Sequence, residues 1–221
     1  MNKKTLTSML PNLTEKPENV LIGQAISGDR KDECAELLYK TYLESGYIQP
    51  NAAKTRIVDY DYAATFMGCD RPTGKVVITG SIFNDDPGRG LPIDRIFKEE
   101  TDKLRSDGRR LVEVGALASD KNYRLNDKSL PLWIDMAILR HCIFALKADN
   151  MLITTHPRYQ HIYEKIWLFE KIGFAESFDY VSGKPAVALN LDLGTIKARL
   201  RELYGGMPAE NNLYDFVFWG E

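Results

Sequence analysis

The chain has 221 residues, 44% hydrophobic and 27% charged, a globular composition long enough for a sizeable core. Twenty-nine lysines and arginines face 31 aspartates and glutamates, for a net charge of −2, which argues against a protein built to coat nucleic acid. No apolar run approaches the roughly 20 residues of a membrane span, and the polar opening MNKKTLTSMLPNLTEKPENV lacks a signal-peptide core, so a cytoplasmic protein is expected.

Residues 1–19 are polar, carry Pro11 and Pro17, and read as a flexible arm. VLIGQAI (20–26) reads as a first strand. A helix follows over 31–44, capped by Ser27 or Asp29. Ala35, Leu38, Tyr39, Tyr42 and Leu43 give it one apolar face, and Gly46 ends it. Residues 65–69 and 75–83 flank the turn-rich DRPTG and predict a hairpin. NDDPGRGLP is a loop, 93–106 a short helix, and Asp107-Gly108 its stop. LVEVGALA (111–118) is apolar almost throughout, the pattern of a central strand.

A polar loop is expected over 119–129, then the strongest helix signal, 131–147. Pro131 suits its first turn, and Leu132, Met136, Leu139, Ile143 and Leu146 form its stripe. A strand at 151–155, a helix at 158–169, strands at 174–181 and 185–193 around Ser182-Gly183, and a helix at 195–204 complete the order. Strand–helix–strand units in the middle predict parallel pairing, and the outer hairpins predict antiparallel edges. The expected fold is an α/β mixed central sheet with helices on both faces. It forms one domain over 20–204, with a C-terminal tail over 205–221. Cys34, Cys69 and Cys142 are widely spaced and read as buried thiols. His141, His156 and His161 have no ligand-like spacing, so no metal is expected.

The order of elements resembles the GNAT acyltransferase fold, and local sequences sharpen the match. LLYKTYLESGYI, GLPIDRIFKEETDKLRSDGRRLVEVGALASD, MLITTHP, RYQHIYEKIWLFEKIGF and KPAVALNLDL look like the core of the N-acyl amino acid synthase family, a GNAT-like branch related to the acyl-homoserine lactone synthases. The resemblance spans roughly residues 20–193 and implies transfer of a long-chain fatty acyl group from acyl carrier protein to the amino group of an amino acid. It implies no cofactor beyond the donor, acyl carrier protein or coenzyme A thioester. Acetyl-CoA-dependent GNAT enzymes carry a Q/R-x-x-G-x-G/A turn before the long helix. Here that stretch is KNYRLNDKSLP, without glycine, so close backbone approach to a diphosphate is disfavoured and a carrier-protein donor fits better. An acyl-homoserine lactone synthase and an acetyl-CoA-dependent acetyltransferase are the alternatives in the same class. A non-catalytic acyl-binding module is the alternative in another.

Aminolysis of a thioester needs a base for the amine, donors for the oxyanion and an acid for the leaving thiolate. Glu113 is the one ionisable residue inside LVEVGALA. The family places a glutamate there, and burial raises a carboxyl toward the range of a useful base; a structurally paired carboxylate is the alternative. The resemblance assigns oxyanion donors to the backbone around Leu117 and Ala118, where this strand splays from its neighbour, against ordinary ladder pairing. It assigns Tyr163 as acid to the thiolate, against simple packing with Tyr159. Arg158 suits an acceptor carboxylate, or is a surface arginine. Phe83, Leu117, Trp133, Met136 and Trp167 are candidate linings of an acyl slot, or plain core. Lys121, Arg124 and Lys128, with Arg105, Arg109 and Arg110, form a candidate basic patch for the acidic carrier protein, or a solvated surface.

Overall fold

A computed structural model describes residues 9–50, 62–126 and 129–218. In chain order its elements are β1 (Val20–Gln24), α1 (Gly28–Glu44), β2 (Ala63–Asp70), β3 (Val76–Asn84), α2 (Asp94–Ser106), β4 (Leu111–Ser119), α3 (Lys121–Asn126) and α4 (Leu130–Arg140). There follow β5 (Asn150–Thr155), α5 (Pro157–Ile162), β6 (Glu170–Phe178), β7 (Lys184–Asp192), α6 (Leu193–Tyr204) and α7 (Leu213–Phe218).

The strands form one seven-stranded sheet, ordered β1-β2-β3-β4-β5-β7-β6. Only β4 and β5 run parallel, joined through α4, while the remaining pairs are antiparallel. This is the mixed sheet expected. Ser27 caps α1 by accepting the Arg30 N–H, and Gly46 follows its end with φ 64°.

Helices cover both faces, and the alternation of strand side chains divides the core in two. On one face Val112, Val114, Ile153 and Leu189 pack against Ile134, Ile138 and Leu139 of α4 and Ile196, Leu200 and Tyr204 of α6. The Tyr204 hydroxyl donates to the Ile166 carbonyl at 3.1 Å, so its burial strands no polar group. On the other face Phe83, Leu111, Leu152 and Ala188 meet Ala35 and Leu38 of α1, Ile93 just before α2, and Phe97 within it.

The sequence pattern set several boundaries wrongly. The helix expected over 131–147 is α-helical only to Arg140, then passes into a π-helical turn, His141–Ala145, where the Leu146 N–H reaches the His141 carbonyl. The helix expected over 158–169 likewise becomes a π-helical turn, Tyr163–Trp167, and stops at Leu168 with φ 63°. Both apolar stripes continue past the change, so periodicity could not mark it. The loop expected over 119–129 holds the short helix α3. β6 begins at Glu170, where its first residues pair with Asn190 and Leu189. Leu10 and Leu13 of the N-terminal segment are buried, and the Leu13 N–H donates to the Glu210 carbonyl at 3.0 Å. In the tail, Leu213 and Val217 of α7 are fully buried against the α4–α6 face.

Candidate active site

Two features of β4 create the site. Its pairing with β5 ends at Val114↔Ile153. Beyond that point β5 stays with β7 as far as Thr155↔Val187, and β4 stays with β3 as far as Ser119↔Ile78. The two parallel strands therefore fork, leaving the β5-facing edge of residues 115–119 without a ladder. At the fork β4 bulges: Ser81 opposes Gly115 and Thr79 opposes Ala118, so Ala116 and Leu117 together face Gly80. Ala116 holds the bulge with φ 51°, a left-handed conformation costing a non-glycine residue about 1–3 kcal/mol. A side chain at Gly80 would come within 2.6 Å of Leu117 and 2.8 Å of Ile138, so any larger residue there must push both side-chain ends aside. The added residue shifts the alternation: Glu113 faces the α1–α2 side before the bulge, and Leu117 faces the α4 side after it.

A cavity of about 990 Å³ opens at this fork. Gly115, Ala116 and Leu117 line it from β4, Thr154, Thr155 and His156 from β5, and Tyr42, Tyr47, Tyr62, Phe83 and Tyr180 from the surrounding walls. Glu113 is 4% exposed and also lines it. Glu113 Oε2 accepts the Ile93 N–H at 2.7 Å. Burial pushes the carboxyl from an ordinary 4.5 up to about 8; the Ile93 N–H opposes the rise and Asp94 adds to it. Thr154 Oγ1 is buried beside it and closes no hydrogen bond of normal geometry.

The other expected residues divide clearly. Tyr163 lines the cavity, edge-on to Phe169 at 5.7 Å, and burial keeps its phenol protonated well above the usual range. Phe83 and Leu117 line the cavity, and Ala118 is buried behind it, paired with Thr79. Trp133 does not reach it. Its ring packs on Phe216 at 4.8 Å and its indole N–H donates to the Glu15 carbonyl, on the opposite face. Met136 and Trp167 belong to that opposite core as well. Arg158 stands outside the cavity lining, its guanidinium donating to the Tyr47 hydroxyl at 3.2 Å and stacked on Tyr159.

Among the described residues the basic patch does not gather as expected. Lys121 is exposed just past the C-terminal end of β4, whereas Arg109 and Arg110 precede its start, about 25 Å away for a strand of this length. Arg109 bonds Asp192 at 2.8 Å, Arg110 bonds Asp149 at 3.0 Å, and Arg105 is held by Asp85, Asp94 and Asp102. The arginines thus neutralise local carboxylates. The Arg124 side chain and Lys128 lie outside the described residues.

Sequence reading passed over two groups. Asp135 of α4 is pushed up to about 7 by burial, opposed by a hydrogen bond from Trp167, and its charge helps keep Tyr163 protonated. Arg95 of α2 lines the cavity and acts electrostatically on Glu113. An aspartate and an arginine on helices carry no signal of the strands that face them. Among the described residues no three His, Cys, Asp or Glu side chains gather to hold a metal, and no helix is long and apolar enough to cross a membrane.

Solved structures share the fold. The chain superposes on FeeM, an N-acyl amino acid synthase from uncultured soil microbes, with a TM-score of 0.67 and 22% identity over 81% of this chain and 93% of that one. It superposes on the AHL synthase LasI with a TM-score of 0.56 and 17% identity over 86% and 95%. For a ribosomal-protein-S5-alanine acetyltransferase from Vibrio fischeri the TM-score is 0.55, with 13% identity over 82% and 97%. At these identities the likeness establishes the GNAT fold. No curated protein sequence matches the chain. The family model for the N-acyl amino acid synthase FeeM, however, matches residues 33–192, well over half the chain and all of the forked core. A GNAT sheet split at its parallel pair, a buried carboxyl at the split and this family match together make the chain an N-acyltransferase, a member of the N-acyl amino acid synthase FeeM family.

Proposed function

We propose that the protein transfers a long-chain fatty acyl group from acyl carrier protein directly to the amino group of an amino acid. The observation that carries this reading is the buried Glu113 carboxyl at the mouth of the β4–β5 fork, inside a cavity of about 990 Å³. That volume lies at the upper end of the usual 300–1,000 Å³ for small-molecule sites. The walls combine aromatic side chains such as Tyr42, Phe83 and Tyr163 with charged ones such as Arg95 and Asp94, so apolar and polar groups can be held together.

In the proposed reaction Glu113 takes a proton from the acceptor ammonium, and the freed nitrogen attacks the thioester carbonyl. A carboxyl titrating near 8 is far better matched to an amine than one at 4.5. The oxyanion forms against the unladdered edge of β4 around Leu117, where backbone N–H groups stabilise it. Its collapse breaks the C–S bond and leaves the new C–N bond; Tyr163 gives its phenolic proton to the departing thiolate and recovers one from the acylated nitrogen, which leaves as a neutral amide. No covalent acyl-enzyme is needed. The glycine-free KNYRLNDKSLP stretch supports a carrier-bound donor over a free coenzyme A thioester.

Mass spectrometry of organic extracts from expressing cells tests the reading, with Glu113→Gln as control. New N-acyl amino acids are expected with the wild type alone and would identify acceptor and chain length together. Purified protein is then supplied with acyl carrier protein thioester, the matching coenzyme A thioester and acetyl-CoA. Faster turnover of either coenzyme A thioester than of the carrier-bound chain would overturn the donor assignment.

A further inference from the structure

The charges around the cavity are unequally satisfied. Arg105 is committed to three aspartates, and Lys98 bonds Asp102 at 2.7 Å. His156 spends its Nδ1 on the Arg158 N–H at the start of α5. That leaves Arg89 and Arg95, both exposed and both lining the cavity. Among the described residues neither makes a salt bridge. Each guanidinium lies over an aromatic ring of the cavity wall instead, Arg89 over Tyr62 at 4.4 Å and Arg95 over Tyr180 at 4.9 Å. Stacking fixes the plane of a guanidinium and leaves its N–H edge open to a planar anion.

Their positions relative to Glu113 separate the two. Arg95 lies two residues beyond Ile93, whose N–H holds the Glu113 carboxyl, and it is the arginine that acts electrostatically on that carboxyl. Tyr180, beneath it, is likewise coupled to Glu113. An amino acid carries its ammonium and its carboxylate on one carbon. A site that deprotonates the first must therefore seat the second beside the base. Arg158, the arginine that sequence favoured for this task, stands outside the cavity lining with Tyr47 as its partner.

We infer that Arg95 is the anchor for the acceptor's carboxylate, stacked on Tyr180 so that its open edge holds the amino acid with its nitrogen toward Glu113. The inference rests on the acceptor being an amino acid.

Binding of N-dodecanoylglycine and of its carboxamide, measured by calorimetry, tests this without donor or turnover. The wild type should hold the acid at least about tenfold more tightly than the amide, as a charge-assisted hydrogen bond provides. Arg95→Gln should abolish that preference and leave amide binding unchanged, Arg95→Lys should keep part of it, and Arg89→Gln should keep it whole. In turnover, Arg95→Gln should raise the acceptor KM with little change in kcat or in the donor KM. A preference that survives Arg95→Gln, or one lost equally in Arg89→Gln, overturns the assignment. So does a wild type that binds acid and amide alike. The broader reading is judged separately: new N-acyl amino acids in extracts with Arg95→Gln showing no effect would sink the anchor alone, and acylated amines without carboxylates would sink both.

Discussion

On one face of the sheet, Ile138, Leu200 and Tyr204 are wholly buried against strand residues such as Val112, Ile153 and Leu189. On the other, the same strands and two further helices enclose a cavity with a carboxyl at its wall. The difference is carried by alternate residues of β4: Val112 and Val114 point into the filled face, and Glu113 between them points into the hollow one. A strand fixed tightly from one side can keep an unfavourable group on the other. The filled face supplies the stability with which the hollow face tolerates a buried carboxyl, a left-handed alanine and a missing ladder.

The sharpest way to break this comparison is Glu113→Gln. It keeps the shape and can still accept the Ile93 N–H, but it cannot take a proton. A kcat lower by about 10²- to 10⁴-fold is expected, with unfolding still cooperative; full activity would remove Glu113 from the chemistry. Leu200→Ala probes the opposite face. It should lower stability by about 2–5 kcal/mol, as truncation of a buried leucine does, and leave kcat per folded molecule unchanged. A parallel fall in kcat would show that the two faces are not independent.

The pH dependence of stability reads the same contrast more gently. A carboxyl held near 8 in the folded state and near 4.5 in the unfolded state binds more protons when folded across that interval. Stability should therefore fall as pH rises from about 4.5 to about 8 and level off above, by a few kcal/mol in all. Asp135 contributes in the same direction over a narrower window. Denaturant titrations of wild type and Glu113→Gln separate the two groups: the variant should lose about half of the slope and keep the part due to Asp135, and identical slopes would mean Glu113 is not a group responsible. The smallest effect expected is at the donor. Lys121→Glu, beside the fork, should raise the KM for carrier-bound acyl group a few-fold, while Arg110→Glu, at the far end of β4 and already paired with Asp149, should not.

Much of this was legible in the chain because periodicity and burial leave marks in composition. LVEVGALA announced a central strand, and one glutamate within it announced either a partner or a purpose. The split between helix-joined parallel strands and hairpin edges followed from element order alone. What escaped reading has a common cause. The bulge rests on Ala116, a residue that does not advertise positive φ, and is permitted by Gly80 on the neighbouring strand. Trp133 lies in an apolar helix whichever face it serves, and only the docking of Phe216 decides. Arg95 and Tyr180 are far apart in sequence, and nothing local to either reveals the stack. Features made by one segment were readable; features made by two distant segments were not.

The hydrogen bond from Leu13 to Glu210 has a consequence for the order in which the molecule assembles. It ties together positions separated by nearly the whole chain, and the entropy lost in closing so long a loop is least once the intervening chain is ordered. The β2–β3 hairpin and the β4–α4–β5 unit close much shorter loops. The fork can therefore form first, with the N-terminal segment and α7 docking afterwards onto a finished sheet. Fraying of both ends would then precede any opening of the site, and hydrogen exchange at Leu13 should outpace exchange at Val114 and Leu152.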